Sequence, residues 1–313
     1  MNRPSHLNIA LFCLIVLVLS SVIGASLSYV HHRETSIHTQ TELLQLTAVE
    51  KATQVNLFLE QQEEKLTLLR EMEEFREVAR RSDDVVAVHV AKEKIRQLKG
   101  IISGISILTP DGIVIIGEND LPGMDYSEQP YFDLQVKHVV FERYYDSVRK
   151  NEYYAVVGPL YNDSENKVII GVITFDVQLQ DISALMSEAI DTGSDEVYLI
   201  DESGLMLSGS EYVGQDDKSG ILVQEVDSDG AIDCLEDLEE YGDMDYIEEH
   251  EEETPHPYIN YMGDDVYGAH AYVPTIMGCV LAENHADVIT DASFITYLTS
   301  LFDEEEHEVP DEN

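Results

Sequence analysis

The chain contains no tryptophan, only three cysteines and, after residue 150, just two basic side chains, Lys167 and Lys218, against 41 acidic ones. Across all 313 residues the formal net charge is −44. A general nucleic-acid binder needs Lys and Arg to displace counterions from phosphates, so that class is excluded. The same charge opposes a folded body lying flat on an anionic membrane. No Cys or His falls at zinc-ligand spacing, which leaves structural zinc without support. Nothing resembling Gly-x-Ser-x-Gly, His-Glu-x-x-His or Gly-x-x-x-x-Gly-Lys occurs either. The expectation is therefore no catalysis, no cofactor and no metal. Glu225, Asp227, Asp229, Gly230, Ile232, Asp233 and Glu236 fall near the positions of a calcium-binding loop. In a chain this acidic such a match arises by chance, and the helical pattern from Ala231 onward speaks against it.

Gly and Pro are absent from residues 31–82, and charge is absent from Leu7 to Val30. The second stretch, rich in Leu, Ile and Val, supplies the roughly 20 apolar residues that cross about 30 Å of hydrocarbon as a helix. Arg3 precedes it, so residues 1–6 are expected in the cytoplasm and everything after Val30 outside. A cleaved signal peptide processed near Gly24, Ala25 and Ser26 is the competing reading. The length of the apolar run and the helical pattern leading directly out of it favour an uncleaved, single-pass anchor in the cell membrane.

Residues 31–82 read as one long stalk helix, with Leu44, Ala48, Val55, Leu59, Leu66, Leu69, Met72 and Phe75 at helical intervals. A second helix, Asp84 to Lys99, stops at Gly100. The period then changes to two. Ile105–Leu108 and Ile113–Ile116 flank the turn Thr109-Pro110-Asp111-Gly112. A short helix within Gly123–Val136 and strands over 139–147, 153–161 and 167–177 follow. The order repeats: Val197–Ile200, the turn Asp201–Gly204, Leu205–Ser208, a helix around Ala231–Tyr241, then strands over 258–262, 266–273 and 278–283. This predicts an α+β protein with two tandem modules, 83–190 and 191–286, each holding a five-stranded antiparallel sheet, and an acidic tail over 287–313. Cys13 lies in the apolar span. Cys234 and Cys279 share the second module, where either a disulfide or two buried thiols would suit an extracytoplasmic site.

Gln129-Pro130-Tyr131-Phe132, Tyr144-Tyr145-Asp146, Val157-Gly158-Pro159-Leu160, Gly171–Asp176 and Tyr261–Ala269 stand in an order and spacing that resemble the double Cache sensor domains of bacterial and archaeal transmembrane receptors. The resemblance covers about residues 31–285. It implies two PAS-like modules beside the long helix, with a small ligand held in the membrane-distal one. Members that bind amino acids resemble Arg-x-Trp-Tyr on a helix, Tyr-x-Asp on the next strand and Asp on the last strand. Here Tyr144 and Asp146 match Tyr-x-Asp, and Asp176 matches the final Asp. Gln129, Tyr131 and Phe132 stand where Arg, Trp and Tyr are expected. Neutral Gln cannot clamp a carboxylate as Arg does, and carboxylates among aromatic faces favour an ammonium group. The resemblance thus implies a membrane-anchored sensor of a small polar or cationic ligand such as an amine, acting as a homodimer or through a receptor partner. No output domain is recognised. The alternatives are a fragment of a sensor kinase or chemoreceptor, or a non-catalytic acidic scaffold.

Overall fold

The computed structural model describes residues 6–128, 140–146, 151–162, 168–187, 196–209, 221–241 and 256–289. Helix α1 spans His6–Glu71, 66 residues without interruption. Its first part is apolar and uncovered: Leu17 is 66% and Leu27 67% exposed, and none of that apolar window is buried by the protein. By length and composition this segment is a candidate membrane span. From Leu44 onward the same helix turns a stripe inward, with Leu44, Ala48, Val55, Leu59, Leu66 and Leu69 all at or below 2% exposure.

The single helix expected over 31–82 is broken. Met72 takes an extended backbone conformation, φ −68° and ψ 121°, and α2 (Glu73–Arg80) restarts immediately. The break lets Phe75 and Val78 of α2 fold back into the core that α1 also lines. Helix α3 (Val85–Leu98) opens on Asp84, whose carboxylate caps the Val86 and Ala87 N–H groups. It closes before Gly100, at φ +89°, a conformation that favours glycine.

The first sheet has five strands, ordered β2 (Val114–Gly117), β1 (Ser103–Leu108), β5 (Ile169–Gln178), β4 (Asn151–Tyr161) and β3 (Val140–Asp146), all antiparallel. Residues 123–128, the described part of the expected loop and short helix over 123–136, form turns and one isolated bridge between Ile113 and Asp125, and the remainder lies outside the described residues. Helix α4 (Leu179–Ser187) follows β5 without a loop.

Among the described residues the second sheet has four strands, where five were expected: β6 (Glu196–Ile200), β9 (Gly278–His285), β8 (Asp265–Val273) and β7 (Tyr258–Ile259). Residues 205–208, expected as the fifth, do begin a hairpin, since Leu207 N–H donates to the Leu199 carbonyl at 2.7 Å. The Leu199 N–H, however, donates to Ser208 Oγ at 2.8 Å, and Met206 N–H donates to the Gln224 carbonyl at 2.9 Å. A side chain thus takes a place in the ladder that a backbone carbonyl would fill, and pairing shrinks to isolated bridges.

The two hairpin turns are nonetheless the same device. Thr109 N–H bonds Ile113 O and Gly112 N–H bonds Thr109 O, while Asp201 N–H bonds Leu205 O and Gly204 N–H bonds Asp201 O. Gly112 and Gly204 both have positive φ, +88° and +77°.

Both sheets lay one face on α1. The second sheet meets its earlier part, where Gln45 Nε2 donates to the His270 carbonyl at 3.1 Å. The first meets its later part, where the lack of a side chain on Gly158 admits Leu66: a Cβ there would lie 2.7 Å from Leu66 Cδ2. Arg143 of β3 pairs with the buried Asp201 in the turn of the second module, tying the modules a second time. On the face of the second sheet away from α1 lies α5 (Asp229–Tyr241), joined to β9 by the Cys234–Cys279 disulfide. Its helical start at Asp229 removes the extended loop that a calcium site would need. No group of three or more His, Cys, Asp or Glu among the described residues is arranged to hold a metal.

The bridge closes a sequence separation of 45 residues, a loop whose closure entropy is worth about 4 kcal/mol. Replacing both cysteines by Ala in the full chain in detergent should cost on that order, measured by denaturant unfolding followed by tyrosine fluorescence. Reductant should lower the wild-type midpoint and leave the double variant unmoved. A wild-type midpoint indifferent to reductant would refute this contribution.

Candidate functional site

Alternation along the first sheet separates its two faces. Ile105, Ile107, Val156, Ile173 and Phe175 point into the α1 core. The opposite face carries Leu108, Val114, Ala155, Val157 and Val172, with Tyr126 and Tyr144 packed against them, and this second face holds the polar groups.

Tyr144 stands opposite Tyr153 in the β3–β4 register, and the rings stack with centroids 5.6 Å apart. The Tyr144 hydroxyl donates to Asp176 Oδ1 at 2.8 Å. Asp176 sits beside Ala155 on β4 and Ser103 on β1. Its carboxylate reaches across β1 because Gly104 has no side chain: a Cβ there would lie within 1.9 Å of Asp176 Oδ2. Gly104 also has φ +67°, so any side chain would be both strained and in collision. Its N–H donates to Glu118 Oε2 at 2.9 Å, and Glu118 meets Lys99 on the other side at 3.4 Å.

A second carboxylate, Asp120, is fixed by two hydroxyls. Ser106 Oγ donates to its Oδ2 at 2.6 Å and the Tyr126 hydroxyl to its Oδ1 at 2.9 Å. Two hydroxyl donors set the direction in which this carboxylate points.

Between Ser103 and Ser106 the pairing of β1 with β5 slips. There a cavity of about 130 Å³ opens, bounded by Phe58, Gln62 and Lys65 of α1 and by Asp176, Gln178 and Asp181. Lys65 donates to Gln62 Oε1 at 3.0 Å. Carboxylates and one ammonium thus share a lining with two aromatic or apolar walls, which is the composition of a small polar-ligand site.

Of the residues expected to bind ligand, Tyr144 and Asp176 are brought into direct contact. Asp146 ends β3, its backbone opposite Asn151, and its side chain lies outside the described residues, as do Gln129, Tyr131 and Phe132. Sequence reasoning missed Asp120, Ser106, Tyr126, Tyr153 and Lys65. Two of these left a signal. Ser106 interrupts the apolar run Ile105–Leu108, and Gln62, the partner of Lys65, interrupts the buried stripe of α1.

Comparison with known proteins agrees with this fold. The model of the Cache domain (dCache_1) matches residues 32–290. No curated protein matches by sequence. Among solved structures, the sensor domain of the histidine kinase DctB from V. cholerae is 11% identical, with a TM-score of 0.56 over 77% of this chain and 95% of that one. The ligand-binding domain of Mlp24 with asparagine is 15% identical, with a TM-score of 0.55 over 82% and 98%. That of the Pseudomonas aeruginosa chemoreceptor PctB in complex with L-Gln is 13% identical, with a TM-score of 0.52 over 82% and 97%. At such identities the structures speak for the fold alone, but the family model spans most of the sequence: this chain belongs to the Cache domain family, the ligand-binding sensor domains of membrane receptors.

Proposed function

We propose that the chain is a single-pass, membrane-anchored sensor whose module 83–190 stands away from the membrane and binds a small ammonium-bearing molecule at Tyr144 and Asp176, while module 191–286 stands nearer to it. The observation that carries this reading is the Tyr144–Asp176 hydrogen bond, held over Gly104 beside a cavity that α1 also lines. An ammonium entering that cavity would meet the carboxylates of Asp176 and Asp181 and the phenyl rings of Phe58 and Phe175 that line it. Uncovered apolar residues at the start of α1 support the anchor. The contact of the second sheet with the earlier part of α1 supports its placement nearer the membrane.

Binding would act by population shift, favouring whichever packing of β1, β5 and α1 encloses the ligand best. A free amine meets Asp176 and Asp181. A second reading, an α-amino acid, is favoured by Lys65, which lines the same cavity and could receive a carboxylate. Solved relatives hold asparagine, L-Gln and other amino acids.

Isothermal titration of the full chain in detergent, with matched amines and amino acids, separates the two readings. If amines are preferred, Asp176→Asn should weaken binding by about tenfold to a hundredfold, the worth of a charge-assisted hydrogen bond, and Lys65→Met should not. If amino acids are preferred, Lys65→Met should cost a similar factor. Retained affinity in Asp176→Asn would overturn the site. Topology is checked separately by fusing a reporter that is active only outside the cytoplasm after residue 40: activity is expected, and silence would overturn the orientation.

A further inference from the structure

The hairpin turn that recurs in both modules shows what such a turn needs. In the first module Thr109 closes it with an uncharged side chain, whose Oγ1 accepts from the Ile113 N–H at 3.1 Å. Asp201 holds the same position in the second module. Its Oδ1 accepts from the N–H groups of Ser203 and Leu205 at 2.8 and 3.0 Å, and from the Ser203 hydroxyl at 2.7 Å. One neutral oxygen therefore suffices for the turn. The charge and second oxygen of Asp201 exceed that need, in a residue only 2% exposed. A buried carboxylate is costly unless a cation meets it.

The cation comes from the other module. Asp201 Oδ2 meets Nη1 of Arg143 on β3, and Arg143 Nη2 lies 3.4 Å from Ser203 Oγ. Among the described residues β3 is an edge strand of the first sheet, paired only with β4. Consecutive residues of a strand point to opposite faces. Tyr144, the next residue, turns the other way, and its hydroxyl reaches past β4 to Asp176 Oδ1 on β5. One edge strand thus holds the carboxylate of the candidate ligand site through Tyr144 and the turn of the other module through Arg143.

We propose that the Arg143–Asp201 pair reports occupancy of the Asp176 site to the second module. A ligand that takes Asp176 changes the hold of the Tyr144 hydroxyl on β3. A strand with a ladder on one side only resists displacement less than an inner strand, and Arg143 moves with it. The planar guanidinium bonds in a fixed fork, so its shift turns the Asp201 carboxylate. The other oxygen of that carboxylate closes the turn, and the Ser203 and Leu205 N–H groups feel the rotation. Two residues on, the Leu207 N–H bonds the Leu199 carbonyl of β6, which pairs with β9. What drives the change rests on the ligand reading at Asp176, whereas the linkage is a property of the chain without ligand.

The test therefore adds no ligand. Amide hydrogen exchange of the full chain in detergent, read by mass spectrometry, is compared in wild type, Tyr144→Phe, Arg143→Gln and the double variant. Tyr144→Phe removes a hydroxyl from Asp176 and nothing from the second module. It should nonetheless speed exchange of the Ser203 and Leu205 amides by about twofold to tenfold, the worth of one hydrogen bond. In the Arg143→Gln background the same change should add nothing. Amides of β9 beside the Cys234–Cys279 disulfide should hold their rates throughout, which separates the effect from general loosening.

Should Arg143→Gln fail to fold, Asp201→Thr takes its place, because Thr109 shows that threonine closes this turn. Exchange unchanged or slowed in Tyr144→Phe would reduce the pair to a structural brace and overturn the proposal. An equal effect of Tyr144→Phe with and without Arg143 would also overturn it, since the coupling would then run elsewhere. Titration decides separately whether a ligand binds at Asp176, so the loss of that site and the loss of this linkage are told apart.

Discussion

One apolar stripe on α1 is shared by two sheets, and most of the structure follows from that sharing. Leu44 and Ala48 serve the second module, Leu66 and Leu69 the first, yet they are rungs of one uninterrupted helix. Neither sheet can bury its inner face without this helix, and the helix cannot shift against one without disturbing the other. Close-packed interfaces switch between discrete arrangements and do not deform smoothly. A helix that is a core element of both modules and continues into an apolar, uncovered segment is therefore, among the described residues, an element through which a change in either can leave the domain.

The faces turned away from α1 show how a duplicated framework diverges. The turns at Gly112 and Gly204 are alike to the hydrogen bond. Beyond them, the first module holds Asp120 and Asp176, fixed by hydroxyls, beside a small buried apolar cluster on that face. The second fills the same face with α5, locks it to β9 by a disulfide, and sets the hydroxyls of Tyr198 and Tyr258 on the buried Glu283. Tyrosine does the polar work on both faces, because its ring packs like a hydrocarbon while its hydroxyl satisfies a buried carboxylate. Seventeen tyrosines in a chain without tryptophan fit that use.

How much of this was legible beforehand depended on the range of the interaction. Helix period, the Gly-terminated turns, strand alternation and the contact between Tyr144 and Asp176 are local or motif-borne. The break at Met72 was not legible, because Met72 is a good helix former and only the tertiary demand for Phe75 and Val78 in the core opposes it. The missing fifth strand turns on one Ser208 hydroxyl competing with a backbone carbonyl, which no periodicity reports. The Arg143–Asp201 pair was hidden by abundance, since in a sequence of 62 acids only burial marks Asp201 as unusual.

The path from site to helix can be followed without invoking distance. Asp176 lies two residues before the end of β5, and α4 begins at the next position, Leu179. In the last turn of α4 the Leu185 carbonyl accepts from Lys51 Nζ at 2.5 Å, and Lys51 is a fully buried residue of α1. An ammonium set against a helix C-terminus meets its partial negative charge, so this contact resists sliding in a way that apolar packing does not. Gln62 and Lys65 line the cavity itself. α1 is thus held at two heights by groups that answer to the position of β5, one directly and one through α4. A ligand of a few atoms can bias an equilibrium only by its differential affinity, and moving one from 1:99 to 99:1 takes about 5.5 kcal/mol. Two charged anchors on a single rigid helix, one lining the cavity and one at the junction of the modules, concentrate such a small bias on the element that enters the membrane in the proposed topology.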